Sequence, residues 1–131
     1  MPRVAVGASV DEVRRFVAVH PLAPTQQIRS DVLARIELAS YHIVQVRGRE
    51  RPHRHAAHDI TVHVLTGQGT LHVDGATLAL RAGDVAVVPR DTPHWFENAG
   101  RETSVALVVF TPPLDAPDVV PIVVDGGEAG R

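Results

Sequence analysis

The chain has 131 residues and a mass of 14.1 kDa, of which 44% are hydrophobic and 21% charged. This length corresponds to one domain, and the composition is typical of a soluble globular protein. The formal net charge of −2 excludes the basic excess that phosphate-contacting proteins usually carry, so we expect no nucleic-acid partner. The chain contains neither cysteine nor lysine, which excludes disulfides, thiolate chemistry, cysteine zinc sites and Schiff-base catalysis.

Membrane and export signals are also missing from the sequence. No hydrophobic run approaches the ~18 residues that a membrane-spanning helix needs. The first residues lack the apolar stretch of a secretory signal peptide. We therefore expect a cytoplasmic protein that makes no contact with a membrane.

The first predicted element is a short helix. Ser9 and Glu12 stand three residues apart, in the capping-box pattern that begins many helices. Apolar residues then follow at helical spacing, at positions 10, 13, 16 and 17. Pro21 and Pro24 end the helix, because proline lacks an amide hydrogen and restricts the residue before it. We predict a helix over residues 10–19, inside an N-terminal extension that spans residues 1–28.

From residue 29 onward the sequence indicates a series of short strands. Val32, Ala34, Ile36 and Leu38 alternate with other residues, which predicts that these four share one face of a strand. Further strands are predicted at residues 41–46, 60–65, 70–73, 77–80, 85–88, 94–97 and 104–110. Asp74-Gly75 separates two of them and favours a type I′ hairpin turn. Strands at such regular spacing indicate a sandwich or barrel over residues 29–111.

The C-terminal residues differ in composition from the strands. Four prolines lie between positions 112 and 121, and glycine and charged residues predominate after position 124. This pattern predicts an extended, proline-rich strap over residues 112–131 that ends in a disordered tail.

Histidines are concentrated in the middle of the chain. Six of the eight lie between His53 and His94. His53 and His55 stand two apart at the start of a strand, so both rings project from the same face and can close around one metal ion. Asp59 has the same parity and would add a carboxylate oxygen. The same pair also fits a polar, solvated loop, because charged residues flank it.

Two longer motifs carry a resemblance to a known family. Gly48 precedes His53-Arg54-His55 at nearly the spacing of a glycine, five residues and His-x-His. The segment from Gly83 to Asn98 follows a second pattern at every spacing: glycine, five residues, Pro-x-Gly, two residues, histidine, three residues and asparagine. Asp91 replaces the middle glycine. In this order the two motifs resemble those of the cupin superfamily, over roughly residues 29–110.

The resemblance implies a fold and a cofactor. The fold is all-β, a cupin-type antiparallel β-barrel of the jelly-roll kind, with the short N-terminal helix before it. The cofactor is one divalent transition metal ion, which the family resemblance does not narrow further than Fe, Mn, Ni, Cu, Co or Zn. Carried over residue by residue, the family's three histidine ligands match His53, His55 and His94.

The family's fourth ligand, a carboxylate, matches less directly. Counted forward from His55 it falls at Asp59, and counted back from Gly67 it falls at Ile60. We predict Asp59 as the fourth metal ligand, which requires a register shift or a bulge that turns its side chain inward. The alternatives for this position are water, His58 and His63.

Several residues near the motifs are candidates for substrate contacts. Trp95 and Phe96 follow His94, so we expect one beside the metal and the other outside the barrel. His42 is a candidate general base or substrate contact. The arginines at positions 47, 49, 51 and 54 either attract an anionic substrate or protect a strand edge.

The resemblance favours a metal-dependent cupin enzyme that acts on a small molecule. The leading expectation is dioxygenase-type oxidation of a chelating, oxygen-containing substrate. A metal-dependent isomerase or decarboxylase and a non-catalytic small-molecule or metal-binding module are the alternatives, because fold does not specify function. Small cupins are commonly dimers, so we also expect a homodimer.

Overall fold

The computed structural model describes residues 9–122. Its elements are helix α1 (Val10–Val19) and strands β1 (Ile28–Arg35), β2 (Ser40–Val46), β3 (His53–His55), β4 (Asp59–Thr66), β5 (Gln68–Val73), β6 (Ala76–Arg81), β7 (Val85–Val88), β8 (His94–Glu97), β9 (Ser104–Thr111) and β10 (Val119–Pro121). No helix in this part of the chain is long and apolar enough to cross a bilayer. The tail predicted to be disordered lies outside the described residues.

The strands form two antiparallel sheets of five. One sheet has the order β1-β2-β9-β4-β7, and the other has the order β10-β3-β8-β5-β6. From β3 to β10 the chain changes sheet at every connection except the β5–β6 hairpin. This arrangement confirms the predicted all-β jelly roll, formed here by two facing sheets.

The main core fills the space between the two sheets. In β4, Ile60, Val62 and Val64 are buried, whereas the residues between them are only partly buried. Because side chains alternate across a strand, this set faces the opposite sheet. Leu71 of β5 and Phe96 of β8 belong to the same cluster. The inward residues of both sheets therefore surround one interior space.

Helix α1 covers the outer face of the first sheet. Ser9 and Glu12 form the predicted capping box, since the side chain of each accepts a hydrogen bond from the backbone N–H of the other. Val13 is buried against Ile43 and Val105, which lie on β2 and β9. This contact explains why β2 is largely buried on both faces.

The apolar face predicted for the first strand is exposed. Val32 is 66% exposed and Leu38 is 73% exposed, and the strand ends at Arg35 after a bulge between Val32 and Ala34. β1 is the edge strand of its sheet, so no further strand of that sheet covers its outer side. Alternation therefore predicted the strand correctly but not its burial.

The homodimer remains a prediction that gel filtration would test.

Two turns near the site use residues with positive φ. Asp74 and Gly75, which join β5 to β6, have φ values of 46° and 84°, as the predicted type I′ turn requires. Asp91 has a φ of 63° at the motif position where the family has glycine. Aspartate is among the few side chains that tolerate this conformation, and Arg54 donates a hydrogen bond to its carboxylate. This chain can therefore form the turn without the glycine.

Gly69 leaves the space that the Phe96 ring fills. A Cβ atom at Gly69 would lie 2.1 Å from Cζ of Phe96 and 2.7 Å from the carbonyl oxygen of Glu97. Gly69→Ala is expected to lower the free energy of unfolding by about 1–3 kcal/mol, as overpacked cores do. Urea unfolding would measure this. Gly100→Ala is the control, because a Cβ there meets nothing closer than 3.3 Å. An unchanged urea midpoint in Gly69→Ala would contradict the close packing.

Candidate metal centre

Three histidines converge between the sheets. His53 and His55 lie on β3, and His94 on β8 pairs with His53 in the antiparallel register. Each residue offers one ring nitrogen, and these nitrogens all lie within 4.8 Å of one another. The ring centroids are 4.4 Å apart for His53 and His94, and 5.0 Å apart for His53 and His55. The structure thus brings together three of the four residues predicted as ligands.

Hydrogen bonds on the far side of each ring fix its tautomer. In His53 and His94, Nδ1 lies 2.7 and 2.9 Å from the carbonyl oxygen two residues earlier in the chain. In His55, Nδ1 lies 2.8 Å from Oδ1 of Asp118. All three partners are acceptors, so each Nδ1 carries the hydrogen. In a neutral ring with this tautomer, Nε2 carries the free lone pair that a metal ion needs.

Burial keeps these rings in the neutral form. His94 is 4% exposed, and burial lowers its pKa to about 4 against the opposing hydrogen bond to the Thr92 carbonyl. Burial also lowers the pKa of His55, although its hydrogen bond to Asp118 acts in the opposite direction. A neutral imidazole binds a metal ion and an imidazolium does not. Near neutral pH these two rings are therefore in the form that binds metal.

The low pKa of His94 predicts that the metal-free protein loses stability in mild acid. This histidine takes up a proton near pH 6.5 in the unfolded chain and only near pH 4 in the folded chain. Above pH 6.5 this difference does not change the free energy of unfolding. At pH 5 it lowers the free energy of unfolding by about 2 kcal/mol. Chemical unfolding at pH 7.5 and pH 5 would measure this loss. His94→Asn is expected to remove it, and an equal loss in both proteins would contradict the assignment.

Asp59 does not join the three histidines. Its carboxylate accepts a hydrogen bond from the backbone N–H of Arg90 at 2.7 Å, and this N–H lowers the pKa of Asp59. The required register shift is absent at this end of β4, which pairs regularly with β7 from Ile60 onward. Ile60 therefore points inward and Asp59 points to the opposite face. In this structure Asp59 therefore does not occupy the position of the fourth metal ligand that was predicted for it.

Asp118 is a site residue that the sequence did not reveal. Its Oδ1 accepts the Nδ1–H of His55, while its Oδ2 accepts hydrogen bonds from Nδ1 of His58 and from the N–H of Ala57. Burial alone would raise the pKa of this carboxyl, but these hydrogen bonds outweigh burial and lower it to about 2. The ionised carboxylate therefore orients His55. Asp118 lies 63 residues after His55, in the segment predicted only as a strap.

The two histidines considered for the fourth position point elsewhere. Nδ1 of His58 faces Asp118, and its Nε2 lies 3.1 Å from the carbonyl oxygen of Pro113. Both ring nitrogens of His58 therefore face acceptors outside the cluster, and neither is directed at the three histidines. His63 stands between the inward residues Val62 and Val64, so it faces away from the interior.

His42 and the two aromatic residues after His94 take separate positions. Nε2 of His42 lies 2.8 Å from Oγ of Ser40, and burial lowers its pKa, so it is a hydrogen-bonded core residue. It does not line the interior cavity, which gives the candidate general base no substrate to act on. Phe96 lines the cavity, whereas Trp95 stacks on His72 on the outer face at 3.7 Å.

The three histidines open onto a cavity of about 590 Å³ between the sheets. Its walls are mainly apolar. Besides the histidines, its polar lining residues are Gln27, Ser30, Arg49, Glu50, Arg51 and Ser104. Two arginines of the predicted cluster have partners elsewhere: Arg47 donates to backbone carbonyls, and Arg54 donates to Asp91. An anionic substrate therefore finds fewer arginines at the cavity than their spacing in the sequence suggested.

A family model matches the strands that carry this site. The model describes the Cupin domain, and it matches residues 40–110, more than half of the chain. The chain belongs to the cupin superfamily. This match confirms the resemblance drawn from the two histidine motifs.

Curated relatives of this cupin include two named enzymes. An uncharacterized protein of Aquifex aeolicus (strain VF5) is 40% identical over 81 residues, which are 62% of this chain and 66% of that protein. An acireductone dioxygenase of Gluconacetobacter diazotrophicus is 36% identical over 60% of this chain and 46% of the enzyme. An acireductone dioxygenase of Alcanivorax borkumensis is 37% identical over 47% of this chain and 35% of the enzyme. The chain thus spans about a third to two thirds of these relatives.

Solved structures share the fold over more of their length. The structure of KdgF from Halomonas sp. has a TM-score of 0.66 and 25% identity, covering 75% of this chain and 91% of KdgF. A protein of Klebsiella pneumoniae with a double-stranded beta-helix domain has a TM-score of 0.65 and 21% identity, covering 97% of this chain and 95% of that one. The second likeness is evidence for the fold alone.

Proposed function

We propose that this cupin is a metal-dependent enzyme that acts on a small molecule by dioxygenase-type oxidation of a chelating, oxygen-containing substrate. The observation that carries the proposal is the convergence of three histidines, each held by an outer hydrogen bond, at an apolar cavity. The two relatives named acireductone dioxygenase support this choice of reaction.

The donor set fits a divalent transition metal. Three imidazole nitrogens without a thiolate suit Fe, Mn, Ni, Cu, Co or Zn. His53, His55 and His94 would hold the ion, and three protein donors leave positions for a substrate that chelates through two oxygens. When bound, the ion supplies Lewis acidity and, if it is redox-active, electrons for the reduction of dioxygen.

The residues of the chain itself define where the substrate lies. Asp118 holds the His55 ring by its Nδ1–H, so the opposite nitrogen stays directed at the cluster. Val62, Leu71 and Phe96 line the cavity and would pack against the apolar body of a substrate. These walls keep water from the reacting atoms and leave the chelating oxygens to face the histidines.

Oxygen uptake by protein loaded separately with each of the six metals would test the proposal. The substrate panel would contain 1,3-diketones and phenols, the chelating classes that fit the site. We expect substrate-dependent oxygen uptake with one redox-active ion and none with Zn(II). Stoichiometric binding of metal without oxygen uptake would contradict the dioxygenase reaction and favour an isomerase or a binding module. If the protein bound none of the six metals, the three-histidine metal centre itself would be contradicted.

A further inference from the structure

We infer that Glu50 forms a second polar contact point in the cavity, which selects a small molecule that carries a hydroxyl group on an otherwise apolar body. The catalytic use of that hydroxyl group rests on the proposed function, whereas its binding does not. Glu50 is not part of the three-histidine cluster, and it stands at a position that neither sequence motif specifies.

Two hydrogen bonds hold Glu50 against β8. Its backbone N–H donates to the carbonyl oxygen of Phe96 at 2.9 Å, and its Oε1 accepts the N–H of Phe96 at 2.9 Å. Phe96 stands two residues after His94 on the same strand, so both side chains face the cavity. Glu50 lines this cavity together with the three histidines. Its carboxyl group is therefore fixed in the wall beside the candidate metal centre.

The second carboxyl oxygen of Glu50 is open to the cavity. Oε1 is taken by the Phe96 N–H, and within residues 9–122 no hydrogen bond to Oε2 is formed. Among the same residues, no fully buried side-chain oxygen or nitrogen lacks a partner. An unpaired Oε2 therefore keeps some accessible surface, and Glu50 is a residue of the cavity wall. Oε2 can therefore form a hydrogen bond with a ligand. Such a bond lowers the free-energy cost of burying the carboxyl group.

A hydroxyl group suits this position in either protonation form of the carboxyl. A carboxylate accepts the hydrogen of the hydroxyl group, and a carboxylic acid donates its own hydrogen to the hydroxyl oxygen. A carbonyl or an ammonium group fits only one of these forms. The hydroxyl group is thus the partner that the geometry favours.

The remainder of the ligand is expected to be apolar and uncharged. The cavity wall next to Glu50 includes Leu71, Phe96 and Val108, which offer no hydrogen bonds. Arg49 packs over the Trp95 ring at 4.5 Å. The apolar wall therefore matches the body of a small phenol or alcohol.

Glu50 also has a structural role, because its Oε1 completes the hydrogen bonding of Phe96. Two variants separate this role from ligand binding. Glu50→Gln keeps an oxygen for the Phe96 N–H and replaces the second oxygen by an amide nitrogen. Glu50→Met removes both contacts at similar length. Glu97→Gln is the matched control, since Glu97 follows Phe96 on β8 but contacts His72 on the outer face.

The experiment compares the binding of phenol and toluene by ligand-observed NMR on the full chain. Toluene carries a methyl group in place of the hydroxyl group of phenol. It is made on the protein as purified and again after dialysis against a chelator. The ratio of phenol to toluene affinity is expected to fall about threefold in Glu50→Gln and about tenfold in Glu50→Met, and to stay unchanged in Glu97→Gln.

Three results would overturn the inference. One is the same affinity ratio in the parent and in Glu50→Gln, which holds even if Glu50→Met fails to fold. Another is an equal fall in Glu97→Gln. The third is a phenol preference that disappears with the chelator, because it would then come from the metal. Survival of the preference without metal would support the Glu50 contact even if the proposed oxidation is wrong.

Discussion

Replacing His94 by alanine is expected to abolish stoichiometric binding of a divalent metal. Three histidine donors meet at the site, and His94 is the one that the second motif supplies. Its loss leaves His53 and His55 alone on β3, and two imidazoles on one strand are too few for a tetrahedral or octahedral centre. We expect affinity to fall by more than about 100-fold, since ligand loss exceeds the 10–100-fold cost of losing an outer contact. Elemental analysis and calorimetric titration would measure it.

Asp59→Ala provides the control for this experiment. The Asp59 carboxylate binds Arg90 on the opposite face of β4, so its removal is expected to leave the metal content unchanged. Loss of metal in Asp59→Ala would show that β4 shifts its register when metal binds. Retained metal in His94→Ala would remove the three-histidine centre as described.

Asp118→Asn is expected to weaken metal binding by about 10–100-fold and to destabilise the metal-free protein by about 1–3 kcal/mol. The first effect follows because an amide cannot accept from both His55 and His58 as the two carboxylate oxygens do. The second follows because Nδ1 of the buried His58 would lose the oxygen that accepts its hydrogen bond. Metal titration would measure the first effect and urea unfolding the second.

Asp115→Asn is the matched control in the same segment. Asp115 pairs with Arg35 at 2.7 Å, but both side chains are more than half exposed. Exposed pairs contribute little, so we expect a change below about 1 kcal/mol and no change in metal affinity. If Asp118→Asn lowered stability but left metal affinity intact, Asp118 would hold the C-terminal segment without orienting His55.

Local patterns were sufficient for much of the fold. The predicted bounds of α1, β7 and β8 agree with the structure, because a capping box, alternation and turn residues are all encoded within a few positions. β10 was predicted only as part of a strap. It has three residues and exists because it pairs with β3, and such pairing between distant segments has no local signal.

The site shows the same division between local and distant information. His53, His55 and His94 carry motif spacing, so the sequence placed them together correctly. Asp59 fits the motif spacing when it is counted forward from His55, but the parity of β4 turns its side chain outward. Asp118 reaches His55 through chain folding alone, and no spacing rule connects the two. A buried carboxylate far along the chain becomes visible only when β10 is placed beside β3.

The Asp118 contact has a consequence for the order in which the site is made. Residues 40–110 carry the family match and all three histidines, whereas Asp118 follows them in the chain. Because domains fold as the ribosome synthesises them from the N-terminus, the histidines emerge before the carboxylate that orients His55. A chain that ends just after β9 is therefore expected to hold metal more loosely than one that includes Asp118 and β10. Tight metal loading would then follow the pairing of β10 with β3, which brings Asp118 to His55.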